Sequence, residues 1–207
     1  MRTLIVFVLL ILFVALLGNV YHSAQQFGHR PTADTNIPAE KEPVTTHYRN
    51  QPASTESSSE ISAPSGLIIP VAGITPDKLH DTFNEARSEG RVHDALDIMA
   101  PHDAPVLAAT GGTIIKLFQS ERGGTTIYQR DPDGKTIYYY AHLDHYAEGL
   151  SEGHYAKQGE VIGYVGDTGN AGPGNYHLHF AIWIAPDEKH FWNGTNVNPY
   201  PILHNTH

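Results

Sequence analysis

Residues 125–142 read TTIYQRDPDGKTIYYYAH, and the class of fold is most readily recognised from this stretch. Two runs rich in β-branched and aromatic residues flank the segment Asp131-Pro132-Asp133-Gly134. Such runs favour strands, and Asp, Pro and Gly in the intervening segment are typical of a tight turn. The stretch therefore predicts an antiparallel hairpin with one strand from Thr125 to Arg130 and the next from Thr136 to His142.

More short strands of the same kind are predicted on both sides of this hairpin. Turn signals separate them, and they run over Ala95 to Met99, Pro105 to Ala109, Gly112 to Gln119, Gln158 to Val165 and His177 to Ile184. Strands at this spacing without intervening helices predict a mainly β fold, in which an antiparallel sheet curls into a partial barrel. A short helix is predicted from Thr75 to Arg87, because Thr75 suits an N-cap and Pro76 the first helical position.

The N-terminus carries a membrane signal. An unbroken apolar run extends from Leu4 to Leu17 and follows Arg2, and no good cleavage site comes after it. We expect an uncleaved signal anchor over residues 1–22, a membrane helix that places the rest of the chain outside the cytoplasm. A cleaved signal peptide and a buried core helix are the alternatives.

The next stretch, residues 23–65, is rich in Thr, Ser, Pro, Gln and Glu. Few of these residues are able to build a core, so we expect a disordered linker that tethers a folded domain over residues 66–207.

Charge and cysteine content exclude several classes of function. The chain has 22 acidic and 13 basic residues, a formal net charge of -9, which argues against a nucleic-acid partner. It has no cysteine, so disulfides, thiolate metal sites and cysteine nucleophiles are excluded. Its 14 histidines point instead to metal or acid–base chemistry.

Two histidines head the last predicted strand, in His177-Leu178-His179-Phe180. Residues i and i+2 of a strand point to the same face, so His177 and His179 are expected to project side by side. Two imidazoles on an otherwise apolar strand are costly to bury without partners. Exposed histidines on a solvated face are the plainer interpretation of this motif taken alone.

Two further clusters each say little on their own. His93 and Asp97 are four residues apart in an extended segment, and His142 ends a predicted strand in Tyr140-Ala141-His142-Leu143. A catalytic zinc takes three protein ligands and keeps one position open. Together the clusters supply His, Asp and His for such a site and leave two histidines for acid–base work. We interpret His145, three residues after His142, as a surface histidine.

The order of these motifs resembles the lysostaphin/LytM-type family of zinc metallopeptidases. The resemblance extends from about Leu67 to Leu203 and includes a Gly-rich loop before the HLH motif. Two further stretches match, Ala104 to Gly112 and Lys157 to Gly169. Ala95 departs from the family's HxGxD pattern, where the middle residue is Gly.

This resemblance implies the function and the site. It implies that residues 66–207 form a zinc metallopeptidase domain that binds one Zn²⁺ through His93, Asp97 and His179. His142 and His177 are implied as the catalytic pair. We interpret the Gly-rich loop before the HLH motif as a flexible wall of the substrate groove, with Asn175 and Tyr176 as candidate substrate contacts. The implied activity is hydrolysis of peptide cross-links in bacterial peptidoglycan, in the cell envelope, with D-Ala–meso-diaminopimelate bonds a better expectation than glycyl bridges. The N-terminal helix would then hold the enzyme at the inner membrane.

Two alternatives to this function remain at this point. The domain is a catalytically silent wall-binding or regulatory module that activates other wall hydrolases, or an iron oxygenase with two histidines and one carboxylate. The oxygenase would need an HxD or HxE motif with a distant histidine, whereas this chain has HxxxD and two more histidines than such a site uses.

Arg87 and Arg91, just before His93, are candidates to bind a substrate carboxylate, and solvated arginines are an equally good interpretation.

Overall fold

The computed structural model describes Pro64 and residues 66–205. The signal anchor expected over 1–22 and the linker over 23–65 lie outside the described residues, apart from Pro64. Within the described part of the chain, no helix combines the length and the apolar character needed to cross a membrane.

Nine strands and one α-helix form the described domain. The strands are β1 (Leu96–Met99), β2 (Pro105–Leu107), β3 (Gly112–Ser120), β4 (Gly124–Arg130), β5 (Thr136–Tyr146), β6 (Tyr155–Ala156), β7 (Val161–Val165), β8 (His177–Ile184) and β9 (Thr195–Val197). The helix α1 (Pro199–His204) follows them. The expectation of a mainly β, antiparallel fold is confirmed.

The hairpin β4–β5 lies at the centre of the sheet, with its turn where the sequence predicts it. The Gly134 N–H donates to the Asp131 carbonyl at 3.0 Å, and Gly134 has a φ of 77° that favours glycine. The Asp133 carboxylate accepts the N–H groups of Lys135 and Thr136, both at 2.7 Å. These bonds close the turn and set the register of the two central strands.

The strand order is β1-β8-β5-β4-β3-β6, and every pair is antiparallel. β7 pairs with both β2 and β5, while β9 pairs with β8. The register shifts in four of these pairs, once each along β2, β3, β4 and β5. Such irregularities bend a strand and increase its twist, so they account for the curl of the sheet.

The sheet packs apolar side chains on both faces. On one face Tyr138, Tyr140 and Phe180 belong to the larger core, while on the other Tyr139 and Trp183 belong to a smaller one. The alternation along β5 and β8 follows from the two-residue period of a strand. The smaller core shares its face of β8 with the histidines of the HLH motif.

The prediction of a helix from Thr75 to Arg87 is wrong. Only Pro76–Lys78 is helical, as one 3-10 turn that buries none of its side chains. Thr75 makes no capping bond to the backbone, and its hydroxyl donates to the Asp77 side chain instead. The backbone beyond this turn pairs instead with the segment before β1, because the Glu85 carbonyl accepts the His93 N–H and the Phe83 carbonyl accepts the Asp94 N–H, both at 2.9 Å.

Candidate active site

Strands β1 and β8 place the first two side chains of the site opposite each other. Asp97 of β1 pairs directly with His179 of β8. The Asp97 N–H donates to the Thr82 hydroxyl at 3.0 Å and so points away from β8. A directly opposed pair without mutual backbone hydrogen bonds brings its side chains closest in an antiparallel ladder. The register therefore brings the carboxylate and the imidazole together.

Three polar atoms converge at this point. The His93 Nε2 lies 2.9 Å from the Asp97 Oδ1 and 3.0 Å from the His179 Nδ1, and the His179 Nδ1 lies 3.2 Å from the same Oδ1. Two ligand atoms that are about 2.0–2.1 Å from a tetrahedral zinc lie roughly 3.3 Å apart. The spacing of this group matches that of metal ligands.

The position of the ring proton of His93, its tautomer, favours a cation between these atoms. Its Nδ1 lies 3.0 Å from the Thr82 carbonyl, which accepts only from an N–H. In the neutral ring Nε2 then carries a lone pair that faces the oxygen of Asp97. Two lone pairs at 2.9 Å repel each other, and a cation between them removes the repulsion. The three residues fit a metal ion by donor type, spacing and tautomer.

Arg87 holds the other oxygen of Asp97. Its Nη2 donates to the Asp97 Oδ2 at 2.6 Å, so that Oδ1 remains directed at the two histidines. Burial acts to raise the pKa of the Asp97 carboxyl. When protons on the facing nitrogens of His179 and His93 take the place of a cation, their hydrogen bonds and charges outweigh burial and hold that pKa far below its ordinary value. The carboxylate is therefore ionised and able to act as a ligand at neutral pH.

Thr82 orients two members of the group, and no sequence motif marks it. Its carbonyl fixes the His93 ring, and its hydroxyl accepts the Asp97 N–H and donates to the Ala95 carbonyl at 3.3 Å. These are the contacts that orient metal ligands in proteins. A threonine 11 residues before His93 has no motif around it, so only the tertiary structure identifies it.

His142 approaches the group from β5. It follows Ala141, the residue paired with His179, and has a φ of 60°. Its N–H donates to the Gly123 carbonyl and its Nδ1 to the Thr168 carbonyl, both at 2.8 Å. Burial lowers the pKa of His142 to about 4, with a further contribution from the charges of His179 and His177. The ring is thus neutral, with the lone pair on Nε2.

His177 is held in the same way. Its Nδ1 donates to the Asn175 carbonyl at 2.8 Å, and its Nε2 lies 3.7 Å from the Asp97 Oδ1. The rings of His142 and His177 are 4.9 Å apart between centroids, and both residues are buried. Each presents an Nε2 able to accept a proton beside the three ligand-type residues.

All five residues singled out from the sequence thus lie together. They line a cavity of about 1040 Å³ that opens on the face of the smaller core. Along β8, alternate residues from His177 to Trp183 line it, followed by Ile184 and by Ala185 just after the strand. At about 3.4 Å per residue this floor is roughly 27 Å long, enough for an extended peptide of about eight residues.

The loop before β8 contributes a wall through Asn170, Ala171 and Asn175. Tyr176 packs instead against the larger core and against the ring of His102. His145 lies outside the cavity, where its side chain is half exposed, pairs with Asp144 at 2.9 Å and stacks on Tyr164.

Comparison with known proteins identifies the family. The model of peptidase family M23 matches residues 91–199, just over half of the chain, and the chain belongs to this family. The lysostaphin/LytM-type peptidoglycan endopeptidases are its homologues.

Individual relatives agree with this assignment. The L-Ala–D-Glu endopeptidase of Bacillus subtilis is 33% identical over 129 residues, which cover 59% of this chain and 38% of the relative. The catalytic domain of lysostaphin from Staphylococcus simulans superposes with a TM-score of 0.51 at 27% identity, covering 60% of this chain and 90% of that domain. A putative glycyl-glycine endopeptidase lytM from Ruminococcus gnavus superposes with a TM-score of 0.51 at 36% identity, covering 61% of this chain and 52% of that protein.

Proposed function

We propose that this chain is a zinc-dependent endopeptidase that hydrolyses peptide cross-links of bacterial peptidoglycan. The observation that carries the proposal is the convergence of His93, Asp97 and His179 beside two histidines with available Nε2 atoms, in a cavity long enough for a peptide. Membership of family M23, whose homologues include peptidoglycan endopeptidases, supports the substrate class.

Zn²⁺ suits the three ligand-type residues, because two imidazoles and one carboxylate form a common catalytic zinc set that keeps a position open. When bound, zinc would polarise the peptide carbonyl and lower the pKa of water towards neutrality.

His142 and His177 supply the proton transfers. With Nδ1 bonded to a backbone carbonyl, each ring presents a fixed Nε2 to the reacting atoms. One Nε2 accepts the proton of the attacking water, and the pair then delivers a proton to the leaving amine. The resulting imidazolium also stabilises the negative charge that develops on the peptide oxygen. Because both rings are anchored before substrate arrives, little reorganisation accompanies these steps.

The proposal extends to the organisation of the chain. Residues 1–22 form a signal anchor, residues 23–65 a flexible tether, and residues 66–207 the peptidase domain. The apolar run from Leu4 to Leu17 after Arg2 supports this arrangement, as does the polar composition that follows. The enzyme then acts in the cell envelope, and we propose D-Ala–meso-diaminopimelate cross-links as the bonds it cuts.

The test is digestion of purified peptidoglycan sacculi with the full chain in mild detergent. We expect zinc-dependent conversion of cross-linked muropeptide dimers to monomers, abolished by chelator and restored by added zinc. Mass spectrometry of the products identifies the bond. If the chain binds one zinc ion but leaves the cross-linked dimers intact, the proposed endopeptidase activity is ruled out and the catalytically silent wall-binding or regulatory module is favoured.

A further inference from the structure

Two successive residues of β5 lie on the cavity face of the sheet, although a regular strand alternates its faces. Tyr140 and Leu143 belong to the larger core, whereas Ala141 and His142 both line the cavity. With strict alternation after Ala141, the side chain of His142 would point into the larger core instead. The position of His142 in the cavity therefore depends on a local irregularity of β5.

This irregularity is a β-bulge. From Thr125 to Ile127 of β4, two residues further on, the partner on β5 changes from Leu143 to Tyr140, three residues back. Strand β5 thus has one extra residue over this interval, and His142 there has the left-handed φ of 60°. A bulge bends its strand and re-aims a side chain. Because a left-handed conformation costs a residue other than glycine about 1–3 kcal/mol, the surrounding structure must hold it in place.

The hydroxyl of Thr168 links the two strands at the edge of this bulge. It accepts the Thr125 N–H at 3.0 Å and donates to the Leu143 carbonyl at 2.7 Å. Thr125 and Leu143 are the residues that the register pairs where the bulge begins, and both are buried. Thr168 itself belongs to the loop between β7 and β8, so a side chain from another segment of the chain bridges β4 and β5.

The carbonyl of the same residue fixes the ring of His142. It accepts from the His142 Nδ1 at 2.8 Å, and the Gly166 N–H of the same loop donates to the His142 carbonyl at 3.0 Å. Thr168 therefore contacts both the backbone that turns His142 into the cavity and the ring nitrogen whose proton leaves the lone pair on Nε2.

We propose that Thr168 is a positioning residue for the proton transfers of His142, with its hydroxyl holding the bulge and its carbonyl holding the ring. The inference rests on the proposed function, in which the His142 Nε2 accepts a proton. Without the hydroxyl, the Thr125 N–H and the Leu143 carbonyl lose a buried partner, and direct pairing of the two would draw β4 and β5 together. A displacement of about 1 Å in a catalytic group costs up to roughly 100-fold in rate.

The test measures kcat and KM of the zinc-loaded full chain on a purified cross-linked muropeptide dimer. Thr168→Val keeps the shape of the side chain but lacks the hydroxyl, and we expect kcat to fall about 10–100-fold with KM within about twofold of the wild type. Thr168→Ser keeps the hydroxyl and should retain kcat within about twofold. Thr136→Val is the matched control, because it removes a buried hydroxyl that bonds Asp133 at the other end of β5. It should lower the stability but leave kcat unchanged.

The second readout is the tautomer of His142, from long-range proton–nitrogen NMR spectra of the zinc-loaded, isotopically labelled protein. The His142 signals are assigned by their loss in His142→Asn. In the wild type, Thr168→Ser and Thr136→Val the proton should stay on Nδ1, whereas Thr168→Val should show both tautomers. A loss of stability alone would leave this ring unaltered.

The positioning role is overturned if Thr168→Val keeps the wild-type kcat and tautomer, if it loses no more activity than Thr136→Val, or if Thr168→Ser is impaired equally. If Thr168→Val does not fold, Thr168→Ala decides, because it leaves space for a water to bridge the two backbone groups. Its kcat should still fall about tenfold, and a wild-type value overturns the role. If the wild type cleaves no dimer, the proposed endopeptidase is refuted, and the spectra alone decide whether Thr168 holds the ring.

Discussion

His142 combines an unusual backbone with an exposed lone pair on its ring. Its φ of 60° lies in the left-handed region, where asparagine is tolerated better than alanine. We therefore predict that His142→Asn folds, binds zinc at one per chain, and hydrolyses peptidoglycan about 10²–10⁴-fold more slowly than the wild type. Metal content and the rate of muropeptide release measure the two effects.

His145→Asn is the matched control for this change, because His145 lies on the same strand but outside the cavity. It should retain the wild-type rate. Full activity of His142→Asn would remove His142 from the proton transfers.

Thr82 gives a second prediction at the level of single residues. Thr82→Val keeps the shape of the side chain but loses the hydroxyl that accepts the Asp97 N–H and donates to the Ala95 carbonyl. We expect its zinc affinity to fall by about 10–100-fold, as for other partners of metal ligands. Competition with a chromogenic chelator measures the affinity. Thr82→Ser, which keeps the hydroxyl, should bind zinc as the wild type does, and equal losses in both variants would contradict this role.

The members of the site differ in how visible they are in the sequence. His177 and His179 are two residues apart in a strand, so their common face follows from the period of the strand. His93, Asp97 and His142 are recognisable by the order of their motifs. Thr82 and the pairing of Arg87 with Asp97 depend on which segment folds over β1, and local spacing does not contain that information.

At the level of elements, the loop between β7 and β8 positions His142. The Thr168 carbonyl of this loop accepts from the His142 ring, and Gly169 beside it has a φ of 68°. A Cβ at Gly169 would overlap the Arg122 carbonyl oxygen and the Gly124 nitrogen. We predict that Gly169→Ala lowers the free energy of unfolding by about 1–3 kcal/mol and removes most of the activity.

Gly172→Ala is the control in the same loop. Gly172 also has a positive φ, of 91°, but a Cβ there meets no atom within 4 Å. We expect this variant to lose about 1 kcal/mol and to remain active. Urea denaturation and hydrolysis rates distinguish the two variants. Equal effects would show that backbone strain alone, and not contact with the β3–β4 turn, determines the outcome.

The strands could be predicted where their pattern is long. β8 has the predicted bounds, and the β4–β5 hairpin differs only at its ends, because β-branched and aromatic runs flank a strong turn signal. β6 and β9 have two and three residues, too few to show an alternating pattern. The helix expected after Thr75 rested on a cap and a proline, and these local signals are overridden by tertiary pairing, in which the Phe83 and Glu85 carbonyls accept the N–H groups of Asp94 and His93.

For the molecule as a whole, a metal ion that binds only the folded chain would raise its free energy of unfolding. Its ligands come from β1, β8 and the segment before β1, so only the folded chain brings them together. At a free zinc concentration of about 100 times the dissociation constant, binding adds about 2.7 kcal/mol to the free energy of unfolding. We predict that chelation lowers the melting temperature by roughly 5–10 °C.

Calorimetry with zinc and with chelator measures this shift. Asp97→Asn serves as the reference, because its uncharged amide is a weak ligand for zinc. The shift should be much smaller in this variant. An equal shift in both proteins would place the bound zinc elsewhere on the chain.

The hydrogen bond from Asp97 to Thr82 has a consequence beyond the site. β1 is the outermost strand on the ordered path of the sheet, and an open strand edge is a template on which another chain can add. The Thr82 hydroxyl occupies the outward N–H of Asp97. The segment that orients the carboxylate therefore also closes the border of the sheet. Strand β1 is thereby hindered from pairing with a bound peptide, or with a neighbouring copy of the chain, as an extra strand.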